Sequence, residues 1–425
     1  MNSATGPALD LLRRDAACGT PESLYALATA LIAQEDVEEA HGYLVTAAQA
    51  GHAGAQVQLA SMYLYAVGAA LDVAQAVDWL KRAEQSGHAG ASYLLALVAL
   101  GGISLERDFQ AIGQRLLTAA KAEFVPAVRA LAMYFGRERD NVASMRQSET
   151  LLAQAAARRD GVSAALLAER VRHGELVGDA RYALASLDRL AAETGIKTMP
   201  SLRGVPVMAG ANTRLQLDIE SSLGAPPVDM RCQAPKVGVI EGLLSAEECR
   251  YVIAMGSPYL NRARVADPET GQWIRHPGRT SYDAFFVAQM EDFQLRLLQL
   301  RMAAAIGMDF TCAEPMVLLH YRPGQEYWPH RDYLPPETLA ANQPEAGQRA
   351  ATLCCYLNDV ESGGGTSFLR APLVIEPRTG RAVAFRNIDD TGRPDMDSHH
   401  AGLPVEKGEK WLVTLWLRER RHRDF

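Results

Sequence analysis

The segment from Met316 to Tyr333 reads MVLLHYRPGQEYWPHRDY. Its apolar opening, VLLHY, has the composition of a short buried strand, and the Arg-Pro-Gly that follows marks a turn. Beyond the turn stands His-Arg-Asp. In extended backbone His330 and Asp332 project from one face and Arg331 from the other, so a single metal ion would see both potential ligands. Downstream, SHHAGLPVEKGEKWLVTLWLRE at 398–419 offers His400 as a third ligand, with His399 as its competing neighbour. Two histidines and one carboxylate on one face of an iron leave three coordination positions open, the vacancy that oxygen chemistry needs. Ten residues past His400, Lys410 heads another apolar run. A buried ammonium is costly without an anion, and a dicarboxylate ligand would supply one. Lysine is otherwise scarce, six against 37 arginines, which makes this position stand out.

His-Arg-Asp occurs a second time in RRHRDF, residues 420–425, where no partner follows. That copy reads as part of a charged, solvated tail, and His422 serves as a natural control for His330. The tripeptide also evokes the catalytic loop of protein kinases. That reading fails, because Glu337 stands where the loop needs asparagine, and no glycine-rich loop, Val-Ala-Ile-Lys or Asp-Phe-Gly is present. Gly363, Gly364 and Gly365 are not followed by Gly-Lys-Ser/Thr and read as a turn, not a phosphate loop.

The first half of the chain is repetitive. AGHAGAQVQLASMYLYA begins at Ala50 and SGHAGASYLLALVALGG at Ser86, which sets Gly51-His52-Ala53 and Gly87-His88-Ala89 36 residues apart. Within a unit, Ala55, Leu59, Ala60 and Tyr63 have helical spacing, as do Ala76, Val77, Leu80 and Ala83, with a turn near Gly68. Each unit is a helical hairpin that cannot bury its apolar face alone, so neighbours stack into a solenoid. The segment resembles Sel1-like repeats, relatives of the tetratricopeptide repeat, with four or five units between Pro21 and Gly195. His52 and His88, at matching turn positions, read as residues hydrogen-bonding between helices rather than as metal ligands.

The expected organisation is an N-terminal segment at 1–20, a repeat domain at 21–195, a linker at 196–235 and a second domain at 236–425. The linker is rich in proline and glycine, with a strand possible at TRLQLDI, 213–219. The second domain opens with VGVIEGLLSAEEC, an apolar strand leading to Ser245 as the cap of a helix. Several short strands then follow, the pattern of a sandwich or barrel. The six cysteines have no paired spacing, which favours a reducing compartment. Neither a signal sequence nor a run of ~20 apolar residues is present, so a cytoplasmic, non-membrane protein is expected. The formal charge of -7 argues against a nucleic-acid binder.

Taken together, SAEEC at 245–249, RTS at 279–281, YRPGQEYWPHRDY at 321–333, GQRAATLCCYLNDVESGGGTSF at 347–368 and HAGLPVEKGEKWLVTLW at 400–416 resemble the prolyl 4-hydroxylase group of iron(II)- and 2-oxoglutarate-dependent dioxygenases. The resemblance covers somewhat less than half of the chain. It implies a multidomain α + β protein in which the helical solenoid precedes a double-stranded β-helix, or jelly roll, with flanking helices. It further implies Fe(II) held by His330, Asp332 and His400, 2-oxoglutarate held by Lys410, Tyr321 and Thr366, and a substrate pocket lined by Tyr327, Arg349 and Trp416. The His-Ala-Gly-x-Pro-Val motif selects His400 over His399. O2 is the second cosubstrate and ascorbate an accessory reductant. Two departures bear on the substrate side: Arg418 stands where the group has histidine, and Gly365 where it has glutamate. The implied activity is 2-oxoglutarate-dependent hydroxylation of a prolyl or other residue in a protein or peptide recruited partly by the repeats. Hydroxylation of a free amino acid or small peptide natural product is the alternative, and a repeat adaptor with an iron- or oxygen-sensing domain is a third reading.

Overall fold

The structure is a computed structural model that describes residues 7–137, 141–178, 180–196, 199–200, 202, 217–266, 273–341 and 344–425. The chain divides into two compact units, Met1–Ala127 with Asp424–Phe425, and Val128–Arg423. Among the described residues eleven α-helices precede an antiparallel sheet region, and no helix is long and apolar enough to cross a membrane.

The helices come in hairpins. In the first unit Pro21–Ile32 pairs with Val37–Gln49, Ala53–Tyr65 with Val73–Gln85, and Ala89–Gly101 with Phe109–Lys121. The residues spaced for burial do pack inward: Ala55, Leu59, Ala60, Ala76, Leu80 and Ala83 are fully buried. The 36-residue period runs deeper in the backbone than in the residue types. Gly51, Gly87, Glu123, Arg159 and Gly195, each 36 residues from the last, all adopt positive φ, at 92°, 77°, 58°, 68° and 82°. Asp36, Asp72 and Asp108 share that spacing, and each caps the helix it precedes by accepting a backbone N–H. His52 and His88 differ from expectation, since both sit at helix N-caps. The Nδ1 of His52 accepts the N–H of Ala55 at 3.0 Å within its own helix, and His88 makes no such bond.

In the second unit the helices continue through Val142–Ala157, Gly161–Arg172 and Leu184–Glu193. Helix Ala246–Gly256 starts where Ser245 predicts, closed by a capping box in which Ser245 and Glu248 exchange hydrogen bonds. Its buried face is charged. Glu247 meets Arg170 at 2.8 Å, and Arg250 meets Glu175 at 2.6 and 2.9 Å, so this helix is tied to Gly161–Arg172 and to the segment just after it by buried ion pairs. Residues 213–216 of the strand expected in the linker lie outside the described residues, and 217–219 are not strand. A strand does form further on, at Asp229–Gln233.

Two sheets face each other. The larger has the order Asp229–Gln233, Lys236–Ile240, Ala382–Arg386, Arg349–Tyr356, Lys410–Arg418, Val317–Tyr321, Tyr282–Phe285 and Asn261–Arg262. The smaller has Leu373–Ile375, Thr366–Phe368, His400–Gly402 and Tyr327–His330. Every pairing is antiparallel, and the non-sequential order is that of a jelly roll. Alternate residues of the large sheet, Val237, Val239, Val317, Leu319, Val383 and Phe385, meet Phe368 and Ile375 of the small one in a shared core. The tail after Arg418 departs from the solvated end expected of its composition. Arg423 clasps buried Glu291 with two hydrogen bonds of 2.8 Å, and the backbone N–H of His422 donates to Thr311.

Candidate active site

The small sheet aligns the histidines. His330 ends its strand and His400 begins the next, and the two stand directly opposite in the antiparallel register. Directly opposed side chains leave the same face of a sheet, which brings the rings to 4.3 Å between centroids. Asp332, just past the strand end, places Oδ1 3.6 Å from His330 Nε2 and Oδ2 4.0 Å from His400 Nε2. The ligand atoms of all three residues lie within 4.8 Å of one another, close enough to hold one metal ion. His399 is outside this group.

The hydrogen bonds suit a divalent cation. His330 Nδ1 lies 2.8 Å from the Trp328 carbonyl and His400 Nδ1 2.9 Å from that of Ser398. A carbonyl only accepts, so each Nδ1 carries the proton and each Nε2 presents a lone pair to the shared space. Burial, and then His400, push the His330 imidazole down to about 3, which keeps it neutral. Burial would raise the Asp332 carboxyl, but the neighbouring imidazoles, Arg349 and the Thr352 hydroxyl hold it below its ordinary value. Two imidazoles and one carboxylate, with oxygen and nitrogen donors only, match the ligand preference of Fe(II).

A cavity of about 240 Å³ opens on this cluster, and all nine residues singled out in the sequence line it. A larger cavity of about 440 Å³ lies against Ala384 and Arg386 and contains none of them, so chemistry and not size marks the site. Lys410 stands opposite Tyr321 in the register of the large sheet. It is 2% exposed, and its Nζ lies 5.0 Å from the Tyr321 ring and 5.5 Å from that of Tyr356. Among the described residues no carboxylate reaches it within ion-pair distance, and burial pushes its ammonium down to about 8. Thr366 shares a 2.6 Å hydrogen bond with the Tyr356 hydroxyl on the same wall. Gly364, at φ 75°, turns the chain so closely over Lys410 that a Cβ would sit 3.3 Å from its Cδ. Buried Tyr321, its phenol pushed up to about 12, remains a neutral hydrogen-bond donor.

The mouth of the cavity is aromatic and cationic. Tyr327 stacks on His330 at 3.5 Å, and the Arg279 guanidinium lies 5.2 Å from the Tyr327 ring. Arg349 lies 3.9 Å over Trp416 and pairs with Glu314 at 2.7 Å. Arg418 does not line the cavity. It is fully buried and pairs with the same Glu314 at 3.0 Å, so Arg418 and Arg349 share one carboxylate. Sequence reading missed Thr352, Arg279 and Glu314. Thr352 carried a usable signal, a hydroxyl on the same face of an apolar strand as Cys354.

Residues 316–418 match the profile of the 2OG-Fe(II) oxygenase superfamily. Probable prolyl 4-hydroxylase 7 of Arabidopsis thaliana is 32% identical over 217 residues, which are 46% of this chain and 67% of that protein. Prolyl 4-hydroxylase 1 of the same organism is 30% identical over 261 residues, 56% of this chain and 90% of that protein. Among solved structures, a Sel1 repeat protein from Oxalobacter formigenes aligns with 41% of this chain and 74% of its own at 18% identity and a TM-score of 0.36.

Proposed function

The chain belongs to the prolyl 4-hydroxylase family of 2OG-Fe(II) oxygenases, and on that footing we propose that it hydroxylates a prolyl or other residue of a protein or peptide. In this reading His330, Asp332 and His400 hold the metal, and Lys410, Tyr321 and Thr366 receive 2-oxoglutarate. Bound Fe(II) supplies the activation of O2 that couples decarboxylation of 2-oxoglutarate to hydroxylation. The observation that carries the reading is the pairing, in one cavity, of a donor triad whose two Nδ1 atoms are each engaged by a backbone carbonyl and a buried ammonium that, among the described residues, no carboxylate reaches within ion-pair distance. A dicarboxylate that chelates the metal at one end and meets Lys410 at the other satisfies both. Tyr327, Arg349 and Trp416 form the wall against which a substrate peptide would lie, and the helical repeats are the surface proposed to recruit its parent protein.

The test is incubation of the purified protein with Fe(II), 2-oxoglutarate, ascorbate and a pool of proline-containing peptides, followed by mass spectrometry. Succinate release with a one-oxygen gain on a peptide is the expected result. Untouched peptides beside a hydroxylated free amino acid would overturn it.

Lys410→Met gives a second check. Truncating one partner of a buried charge pair costs about 2–5 kcal/mol, so KM for 2-oxoglutarate is expected to rise at least ~30-fold. A KM within twofold of wild type, read from succinate release against 2-oxoglutarate concentration, would remove Lys410 from the cosubstrate site.

A further inference from the structure

Asp332 reaches His400 by a second route, through the protein. Thr352 Oγ1 lies 2.7 Å from Asp332 Oδ2, and Asn387 Nδ2 lies 2.8 Å from the same Thr352 oxygen. Asn387 is pinned at the end of its strand by its own N–H to the Ala350 carbonyl at 2.9 Å, and its carbonyl accepts the N–H of Asp395 at 2.9 Å. The Asp395 carbonyl accepts the Ser398 hydroxyl at 2.7 Å, and the Ser398 carbonyl accepts Nδ1–H of His400. Thr352, Asn387 and Ser398 are all fully buried. One line of hydrogen bonds therefore joins a carboxylate beyond one edge of the small sheet to an imidazole on the next strand, passing through the large sheet.

The direction of this line is fixed by chemistry. An ionised carboxylate only accepts, so the single hydroxyl proton of Thr352 must point at Asp332 Oδ2. The Thr352 oxygen is then left to accept, and the Asn387 amide N–H fills that role. Thr352 thus ties down Oδ2, the oxygen 4.0 Å from His400 Nε2, and leaves Oδ1, 3.6 Å from His330 Nε2, outside the line.

We propose that Thr352 and Asn387 are positioning residues that hold Asp332 as a one-oxygen ligand and keep its second oxygen off the metal. A carboxylate free to turn would take two coordination positions and close one that the cosubstrates need. The assignment rests on the reading of His330, Asp332 and His400 as the metal site. It adds that the open positions are guarded by the Arg349–Tyr356 strand and the 387–398 loop, neither of which supplies a ligand.

The test uses the full chain and Co(II) as a spectroscopic probe, titrated through its d–d absorption. Thr352→Val, nearly isosteric but without a donor, is expected to bind Co(II) about 10–100-fold more weakly, the usual effect of losing a hydrogen-bond partner of a metal ligand. Its d–d bands are expected to shift as the carboxylate changes its attachment. Thr352→Ser is expected to restore both affinity and spectrum. Asn387→Leu is expected to weaken binding too, yet to add nothing in the Thr352→Val background, because both act through one hydroxyl. A purely structural role would lower the melting temperature of the metal-free protein and leave Co(II) affinity and bands unchanged. Should Thr352→Val fail to fold, Thr352→Cys, of similar bulk with a weak donor, takes its place with the same expectation. Wild-type affinity and spectrum in the folded variant overturn the inference. His400→Ala separates the two levels. If it keeps wild-type Co(II) affinity the metal reading itself falls, whereas its loss beside an unaffected Thr352 variant sinks only the positioning role.

Discussion

Asp332→Ala is expected to abolish 2-oxoglutarate turnover, with succinate release falling by well over ~100-fold, since even the outer hydrogen-bond partners of metal ligands are worth about 10–100-fold. The variant removes the single negative charge of the donor set and leaves two imidazoles, a pair that holds Fe(II) poorly. His330→Ala and His400→Ala are expected to do the same, because each Nε2 is one of three donors gathered within 4.8 Å. His422→Ala is expected to keep full turnover. That histidine belongs to the other His-Arg-Asp, and its imidazole is no part of the cavity lining. Succinate release measured on the four variants side by side makes the comparison. An active Asp332→Ala protein would sink the metal assignment, and an inactive but folded His422→Ala protein would show that the tripeptide alone does not distinguish the two copies.

The two copies also show what a sequence can and cannot display. His330 and Asp332 are legible as a pair because alternation along extended backbone is a local rule, and Ser245 is legible because a cap and its helix lie within four residues. The burial of Arg423 is not legible. Its composition says solvent, while its partner Glu291 stands 132 residues away. Asn387 escapes for the same reason, and the hydroxyl of Thr352 is visible on its apolar strand without any sign of which carboxylate, 20 residues away, it will meet. In the repeats the fading is of another kind. Gly51 and Gly87 announce the left-handed turn, but Glu123 and Arg159 occupy it as well. An L-residue pays roughly 1–2 kcal/mol there, a cost that hairpin packing can offset, so residue identity drifts while the backbone keeps its period.

Glu247→Ala is expected to lower stability by about 3–5 kcal/mol, which a shift in the urea midpoint would read directly. The residue is fully buried and paired with Arg170, and removing one partner of a buried ion pair leaves an uncompensated charge in a low dielectric. Arg250→Ala exposes Glu175 to the same penalty. The consequence reaches the question of recruitment. Deleting residues 1–195 removes Arg170 and Glu175 together, leaving Glu247 and Arg250 without those partners, so loss of activity in that truncation would report misfolding and say nothing about substrate. Deleting residues 1–127 keeps every member of the network, since Arg170, Glu175, Glu247 and Arg250 all belong to the unit Val128–Arg423. This shorter truncation is expected to retain succinate release with a short peptide and to lose it with the intact partner protein. Equal turnover of both substrates would rule out recruitment by the first three hairpins, and a Glu247→Ala midpoint equal to wild type would remove the reason for cutting at 127 and not at 195.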